Sequence, residues 1–550
     1  MEKTTKISKN IKFTIIAVVL IAMFCVAISP VTLQNDTYYT IKIGEHIQNY
    51  GIDMKDPFSW HEDLNYTYPH WLYDYLTYQI YQNFGFAGIF IITCLLSCTL
   101  GILIYLVCSK LSKNNIISFF ITIGAIYLIN GYVAARAQLV TFNLFILEVF
   151  LIEKFLENKK IQYAVGLMLI SILIANLHVA VWPFFFVLFL PYIGEYVVAL
   201  LGDFIIYRKI KELLLKLQIK LINNKEKQQK WNKKLSELKT KVDKIKVKRT
   251  KNLQQPYKIR IEKNKNVKWL ILIMVICMFT GLLTPIGDTP YTYLIKTMQG
   301  NTTQNINEHL PMTIANQPEV LCTIILILSI ITFTKTRIKL NDLFMIGGLT
   351  LLMLYTRRQL SIFAIIGSIV VCRLIVELIT TYDEQWLKRF SRWMVKPIPV
   401  ILLVIIVACM SYNKVKFKFD DKFVDEASYP VQACDYILEN IDLTQAKFYN
   451  EYNFGSYMLF RGIPVFIDSR ADLYSPEFSG LKDDIFIDFI NVSSIGIFYE
   501  DIFEKYDITH AIMYKNAKIS MIIDNTNDNR YKKIYSDDYF VIYERINNKE

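Results

Sequence analysis

The 550 residues contain no glycine-rich nucleotide loop, no P-loop and no dinucleotide-binding fingerprint, so nothing in the chain is built to hold nucleotide phosphates on backbone amides. The nine cysteines include no CxxC pair. Eight lie in or at the ends of apolar runs, which excludes a zinc ribbon and a disulfide framework. Histidine is scarce, with six in the whole chain.

Apolar residues, in contrast, are abundant. They make up 53% of the chain, with 14% aromatics and a positive mean hydropathy, and they come in runs rather than at amphipathic spacing. This composition excludes an ordinary soluble enzyme and predicts a polytopic α-helical membrane protein. The net charge of +12 is local. Arg208 to Lys268 carries 22 Lys and Arg against 5 Asp and Glu, a surplus of 17 that leaves −5 for the rest of the chain. A basic segment between apolar spans marks the cytoplasmic side and contact with anionic lipid, so no nucleic-acid partner is expected.

The apolar runs predict eleven spans, at 12–33, 86–108, 116–134, 138–156, 162–178, 180–204, 267–285, 319–334, 342–357, 359–381 and 397–413. The first follows MEKTTKISKNIK and has no small-x-small cleavage site, so it reads as a retained signal anchor. The N-terminus and the basic segments 109–114, 157–161, 205–266, 335–340 and 382–396 then share the cytoplasmic face. The opposite face receives the loop 34–85, the turns near Arg136 and His178, the loop 286–318, the turn at Arg357–Arg358 and the tail 414–550, together with all six histidines. Residues 1–413 form the membrane domain.

Within the cytoplasmic insert, Leu214, Leu217 and Leu221, then Leu235, Leu238, Val242 and Ile245, fall at three- and four-residue steps, the pattern of a solvated helical arm. In the tail, YPVQACDYILEN reads as an amphipathic helix. KFYNEYNFGSYMLF, IPVFIDSR, HAIMYK and YFVIYER read as strands, giving a small extracytoplasmic α/β domain of about 135 residues.

Asp36 comes almost directly after the first span, at the depth of a lipid-linked phosphate. A carboxylate there holds a divalent cation, takes a proton from an attacking hydroxyl, or is simply an interfacial charge. His70 and Trp71 precede the next apolar run, placed either to stack on a sugar or pyrophosphate or to form an interfacial belt. Arg136 and Arg358 stand at the outer ends of runs, where arginine either snorkels to headgroups or binds a buried anion. Asn176 and His178 interrupt a pair of apolar spans; they face a cavity or hydrogen-bond between helices.

The segment DTYYTIKIGEHI, with KDPFSW and YPHWLYDYL after it, resembles the first external loop of GT-C glycosyltransferases, in particular the catalytic subunit of oligosaccharyltransferases. The resemblance implies that Asp36 is the catalytic or metal-binding carboxylate, with Mg or Mn as the divalent cation, and that Asp56 is a secondary acid. Asn305-Ile306-Asn307-Glu308 resembles that family's mobile-loop acidic motif, with Asn for Thr, and this makes Glu308 a further catalytic or metal contact with His309 beside it. Tyr452-Asn453-Phe454-Gly455 resembles the end of the family's WWDYG signature, with Tyr for Trp, Asn for Asp and Phe for Tyr. Asn453 therefore stands where acceptor recognition is expected, but without the family's carboxylate. Nearby, Asp468, Arg470 and Asp472 either bind sugar or form an internal ion-pair network. Where the family carries a second acidic motif this chain has only Ala135-Arg136-Ala137-Gln138, which allows a metal-independent mechanism.

These readings imply a membrane glycosyltransferase. It would use a polyprenyl-phosphate-linked sugar as donor and a glycan or protein as acceptor, inverting the sugar, with Asp36 as base and Arg136 or Arg358 on the lipid phosphate. Alternatives are a flippase for a lipid-linked envelope precursor, which calls for mid-span ionisable groups and repeats, and a non-catalytic scaffold. The weight of Ile, Lys and Asn points to an AT-rich bacterial genome and a bacterial plasma membrane.

Overall fold

A computed structural model describes residues 2–201, 212–217, 219, 228–240, 243, 258–313, 317–526 and 528–546. Apolar runs become helices because a helix satisfies every backbone N–H and C=O within its own segment. Five helical stretches are long and apolar enough to cross a membrane: Ile11–Ile28, Trp71–Ser112, Val179–Leu201, Arg357–Met394 and Pro397–Lys418. Shorter apolar helices lie at Asn115–Leu128, Ile161–Leu177, Val267–Leu282, Pro318–Phe333 and Leu340–Tyr355.

The helices that position the site are α1 (Glu2–Ile28), α2 (Asn35–Tyr50), α3 (Trp71–Ser112), α4 (Asn115–Leu128), α5 (Ala137–Asn158) and α6 (Ile161–Leu177), followed by α7 (Leu340–Tyr355) and α8 (Leu360–Met394). Away from the site, the guanidinium of Arg373 on α8 joins three elements. It lies 2.8 Å from Glu153 of α5 and 2.7 Å from Asp342 of α7.

The loop expected over 34–85 is partly helical. Its first part forms α2, ended by Gly51 at φ 83°. The buried side of α2 includes Tyr38, Tyr39, Ile41 and Ile43. Trp71 opens α3, but Gly85 at φ 59° and ψ −157° breaks that helix. Glycine reaches this conformation without the steric cost a side chain imposes. The aromatic stretch before Gly85 and the apolar run after it are thus two segments meeting at an angle.

In the tail, β1 (Phe448–Asn450), β2 (His510–Tyr514), β3 (Tyr531–Ser536) and β4 (Phe540–Arg545) form one mixed sheet in the order β1-β2-β4-β3. β1 and β2 are parallel, and the other two pairings are antiparallel. The expected helix is present at Val431–Asn440, and HAIMY and FVIYER are strands as expected. Two expectations need correction. Only Phe448–Asn450 of the KFYNEYNFGSYMLF stretch is a strand, and Tyr452–Phe460 is a helix, α9. IPVFIDSR is irregular, touching a strand partner only through the bridge between Ser59 and Val465. β-propensity gives way here because α9 is buried from Phe454 through Leu459, so packing rather than residue type decides.

The apolar core divides in two. One cluster runs through the helices, and the other joins the tail to Leu33, Tyr38, Tyr39, Ile43, Leu64, Tyr66 and Tyr68. The Tyr38 ring meets Tyr429 and Tyr457 edge-on at 4.9 and 5.1 Å. The Trp60 indole donates to the Phe448 carbonyl at 3.0 Å, and the Asn65 amide donates to the Ser479 carbonyl at 3.1 Å. In the basic insert, residues 212–217 and 228–240 are helical; Trp231, Leu235 and Leu238 are shielded relative to their neighbours, whereas Leu214 and Leu217 are exposed and Leu215 is the buried residue of its segment. Leu221, Val242 and Ile245 lie outside the described residues.

Candidate functional site

A cavity of about 590 Å³ opens between α2, the N-terminal end of α5, the loop after Thr289–Gln299 and the tail. Asp36 enters it from the first turn of α2, where a carboxylate is favoured by the helix N-terminus. Arg136, just ahead of α5, lies between two acids: Nε is 2.9 Å from Asp36 Oδ2 and Nη1 is 3.3 Å from Glu308 Oε1. The contact to Asp36 is close but not aligned as a hydrogen bond, so it acts through charge. Burial works to raise the Glu308 carboxyl, but the charges of Arg136 and Arg358 outweigh it and hold that group below its ordinary value.

Arg358 is brought in by the turn between α7 and α8, whose amide donates to the Glu308 carbonyl at 3.0 Å. Its guanidinium lines the cavity and makes no ion pair or side-chain hydrogen bond among the described residues. His309 is held below its ordinary value by burial and by Arg358, which favours the neutral ring.

On the opposite wall are His70 and His178, with rings meeting edge-on at 5.8 Å. His70 Nδ1 is 3.2 Å from Asp74 Oδ1. Asn453 and Arg470 line the tail side together with Glu451, Tyr452 and Asp472. Asp472 accepts from the Tyr293 hydroxyl at 2.6 Å and from Thr302 at 2.9 Å, which ties the loop 286–318 to the tail.

Four expected site residues lie behind the lining. Trp71 donates its indole N–H to Asn176 Oδ1 at 3.1 Å, and Asn176 in turn donates to the Leu283 carbonyl at 3.0 Å. Trp71 and Asn176 are therefore a link between elements. Asp56 and Asp468 are fully shielded, and both hold Arg470. Nη1 lies 2.6 Å from Asp56, while Nε and Nη2 donate to the two Asp468 oxygens at 2.9 and 2.7 Å. Of the alternatives open for Asp468 and Arg470, this geometry is the ion-pair network, and it includes Asp56. A carboxylate with its charge engaged in this way, away from the cavity, has no access to a substrate proton.

Asp36 and Glu308 do converge, but on a guanidinium. Arg136 lies between them, and the described residues hold no group of three or more His, Cys, Asp and Glu suited to a metal ion. Arg136 thus takes up both carboxylates that the resemblance offers to Mg or Mn.

The sequence reading did not single out Asp74 or Glu451. The His70-x-x-x-Asp74 spacing was a readable signal, since residues four apart share a helix face. Nothing local marked Glu451. Burial pushes its carboxyl up to about 7, and that carboxyl makes no hydrogen bond or ion pair among the described residues. No family model matches the chain, and no curated protein matches it.

Proposed function

We propose that the protein is a membrane glycosyltransferase that moves a sugar from a polyprenyl-phosphate donor to an extracytoplasmic glycan or protein acceptor with inversion. Its eleven apolar helical runs cross a bacterial plasma membrane, with the N-terminus and basic segments cytoplasmic and the cavity and tail outside. What carries the reading is one observation: Asp36, Arg136, Glu308 and Arg358, far apart in sequence, line a single cavity in which Arg358 makes no ion pair or side-chain hydrogen bond among the described residues. A planar guanidinium without a carboxylate partner suits a departing lipid phosphate. Arg136 is already neutralised, so Arg358 is the phosphate ligand. Asp36 is the carboxylate that the resemblance nominates, and its ion pair fixes Arg136.

The test is release of polyprenyl phosphate from labelled polyprenyl-phosphate hexoses by the purified full-length chain. Wild type releases it, Asp36→Asn is slowed at least tenfold, and Arg358→Gln raises the donor KM. An Arg358→Gln variant with unchanged donor KM overturns the phosphate assignment.

A further inference from the structure

The cavity contains a histidine whose two ring nitrogens have been given different surroundings. His70 Nδ1 lies 3.2 and 3.3 Å from the two oxygens of Asp74, and the Asp74 side chain is fully shielded. An ionised carboxylate only accepts, so Nδ1 carries the hydrogen of that bond, and the Nε2 lone pair is the one left over. His70 lines the cavity, and Nε2 has no hydrogen-bond partner among the described residues.

The dyad is seated from several directions. Gly44 of α2 presses on the Asp74 backbone so closely that a Cβ there would come within 2.2 Å of the Asp74 carbonyl oxygen. The Tyr39 ring stacks on His70 with centroids 6.0 Å apart, and His178 meets it edge-on from the end of α6. Among the described residues, Asp74 is the only carboxylate in ion-pair contact with the His70 ring. On α2, Asp36 is taken up by Arg136, and Arg358 lies close enough to His178 for their charges to interact.

The geometry points to His70 as the group that takes the acceptor's proton, with Asp74 as the positioning residue that fixes its tautomer; this rests on the glycosyltransferase reading above. The acceptor oxygen forms a bond to the anomeric carbon as the bond from that carbon to the phosphate oxygen breaks. The electron pair leaves with the lipid phosphate towards Arg358. The acceptor's proton moves to Nε2, and the resulting imidazolium is stabilised by Asp74 until it passes the proton to water. Asp36 keeps an electrostatic task, holding Arg136 and through it Glu308. A base already bound to a guanidinium is a poor proton acceptor, and the dyad has no such restraint.

The experiment is a pH–rate profile for release of polyprenyl phosphate, measured on full-length wild type, His70→Ala, Asp74→Asn, Asp36→Asn and Glu451→Gln. Wild-type kcat rises with pH along a single limb. His70→Ala loses roughly 10²- to 10⁴-fold and its limb, keeps the donor KM, and is rescued by added imidazole, which a purely structural role would not allow. Asp74→Asn is slowed comparably without loss of donor binding. Asp36→Asn is slower but keeps the limb. A His70→Ala variant within threefold of wild type, failure of imidazole to rescue it, or a limb that disappears in Glu451→Gln and survives in His70→Ala, overturns the dyad and leaves the glycosyltransferase reading standing. A wild type that releases no polyprenyl phosphate from any donor overturns both.

Discussion

Replacing Arg470 with methionine removes the one cation that compensates two shielded carboxylates while nearly keeping the side chain's length. Asp56 and Asp468 have no exposed side-chain surface, and Arg470 has 3%. The guanidinium also lies over the Tyr66 and Phe58 rings, 5.0 and 5.5 Å from their centroids. Removing one member of a buried ion pair costs about 3–5 kcal/mol, because the remaining charge cannot reach water. Here two charges are left, close together, so about 4 kcal/mol is a lower bound. For a unit of this size that lowers the melting temperature by roughly 15 °C. The assay is thermal unfolding of the detergent-solubilised full chain. A triple variant, Arg470→Met with Asp56→Asn and Asp468→Asn, recovers more than half of the loss because the orphaned charges are gone. A single variant that loses less than about 1 kcal/mol, or a triple variant as unstable as the single one, refutes the network and returns these residues to the sugar-binding reading.

Gly455→Ala places a Cβ 2.0 Å from the Ile467 carbonyl oxygen and 2.7 Å from Asn450 Nδ2. Backbone cannot yield as a side-chain tip can, so the cost is about 3 kcal/mol in the same unfolding assay, whereas Gly124→Ala, with nothing within 4 Å, is neutral or slightly stabilising. His61 donates from Nε2 to the Phe466 carbonyl at 2.9 Å, and burial pulls its pKa down to about 4. Because the folded value lies below the unfolded one of about 6.5, its contribution is intact above that pH. It is lost as pH falls towards 4, by about 2 kcal/mol after discounting partial exposure, and His61→Gln flattens this part of the stability–pH curve. Arg136→Gln leaves Asp36 and Glu308 facing each other without their cation; Mn²⁺ binding measured by electron paramagnetic resonance is absent in wild type and present in the variant, and equal signals from both refute the occupied-pair account.

Where the sequence was readable, an unambiguous physical constraint was acting. Long apolar runs fold as helices, so most helix bounds lie within a few residues of the hydropathy bounds, although α1 starts at Glu2 and α8 continues to Met394. Arginines at the ends of such runs are conspicuous for the same reason, and Arg136 and Arg358 do line the cavity. Surfaces buried by distant partners were less legible. Tyr38 reads as a loop aromatic because two of the rings that meet it, Tyr429 and Tyr457, lie far along the chain, and α9 reads as a strand because Tyr and Phe suit either state once fully buried. The sequence alone could not choose between sugar contact and an ion-pair network for Asp468 and Arg470; that depended on Asp56, 414 positions from Arg470. Glu451 was invisible because its chemistry comes from the partners it lacks.

The shared apolar core of the first loop and the tail also fixes an order of biogenesis. Trp60 leaves the ribosome 388 residues before Phe448, its hydrogen-bonding partner, an interval of roughly 20–80 s at ordinary elongation rates. During that interval the Tyr429 and Tyr457 rings that meet Tyr38 do not yet exist. The cavity wall is complete only once Ser493, the last of its lining residues, has been made, so a chain truncated before Tyr429 leaves Tyr38 without the Tyr429 and Tyr457 rings that meet it.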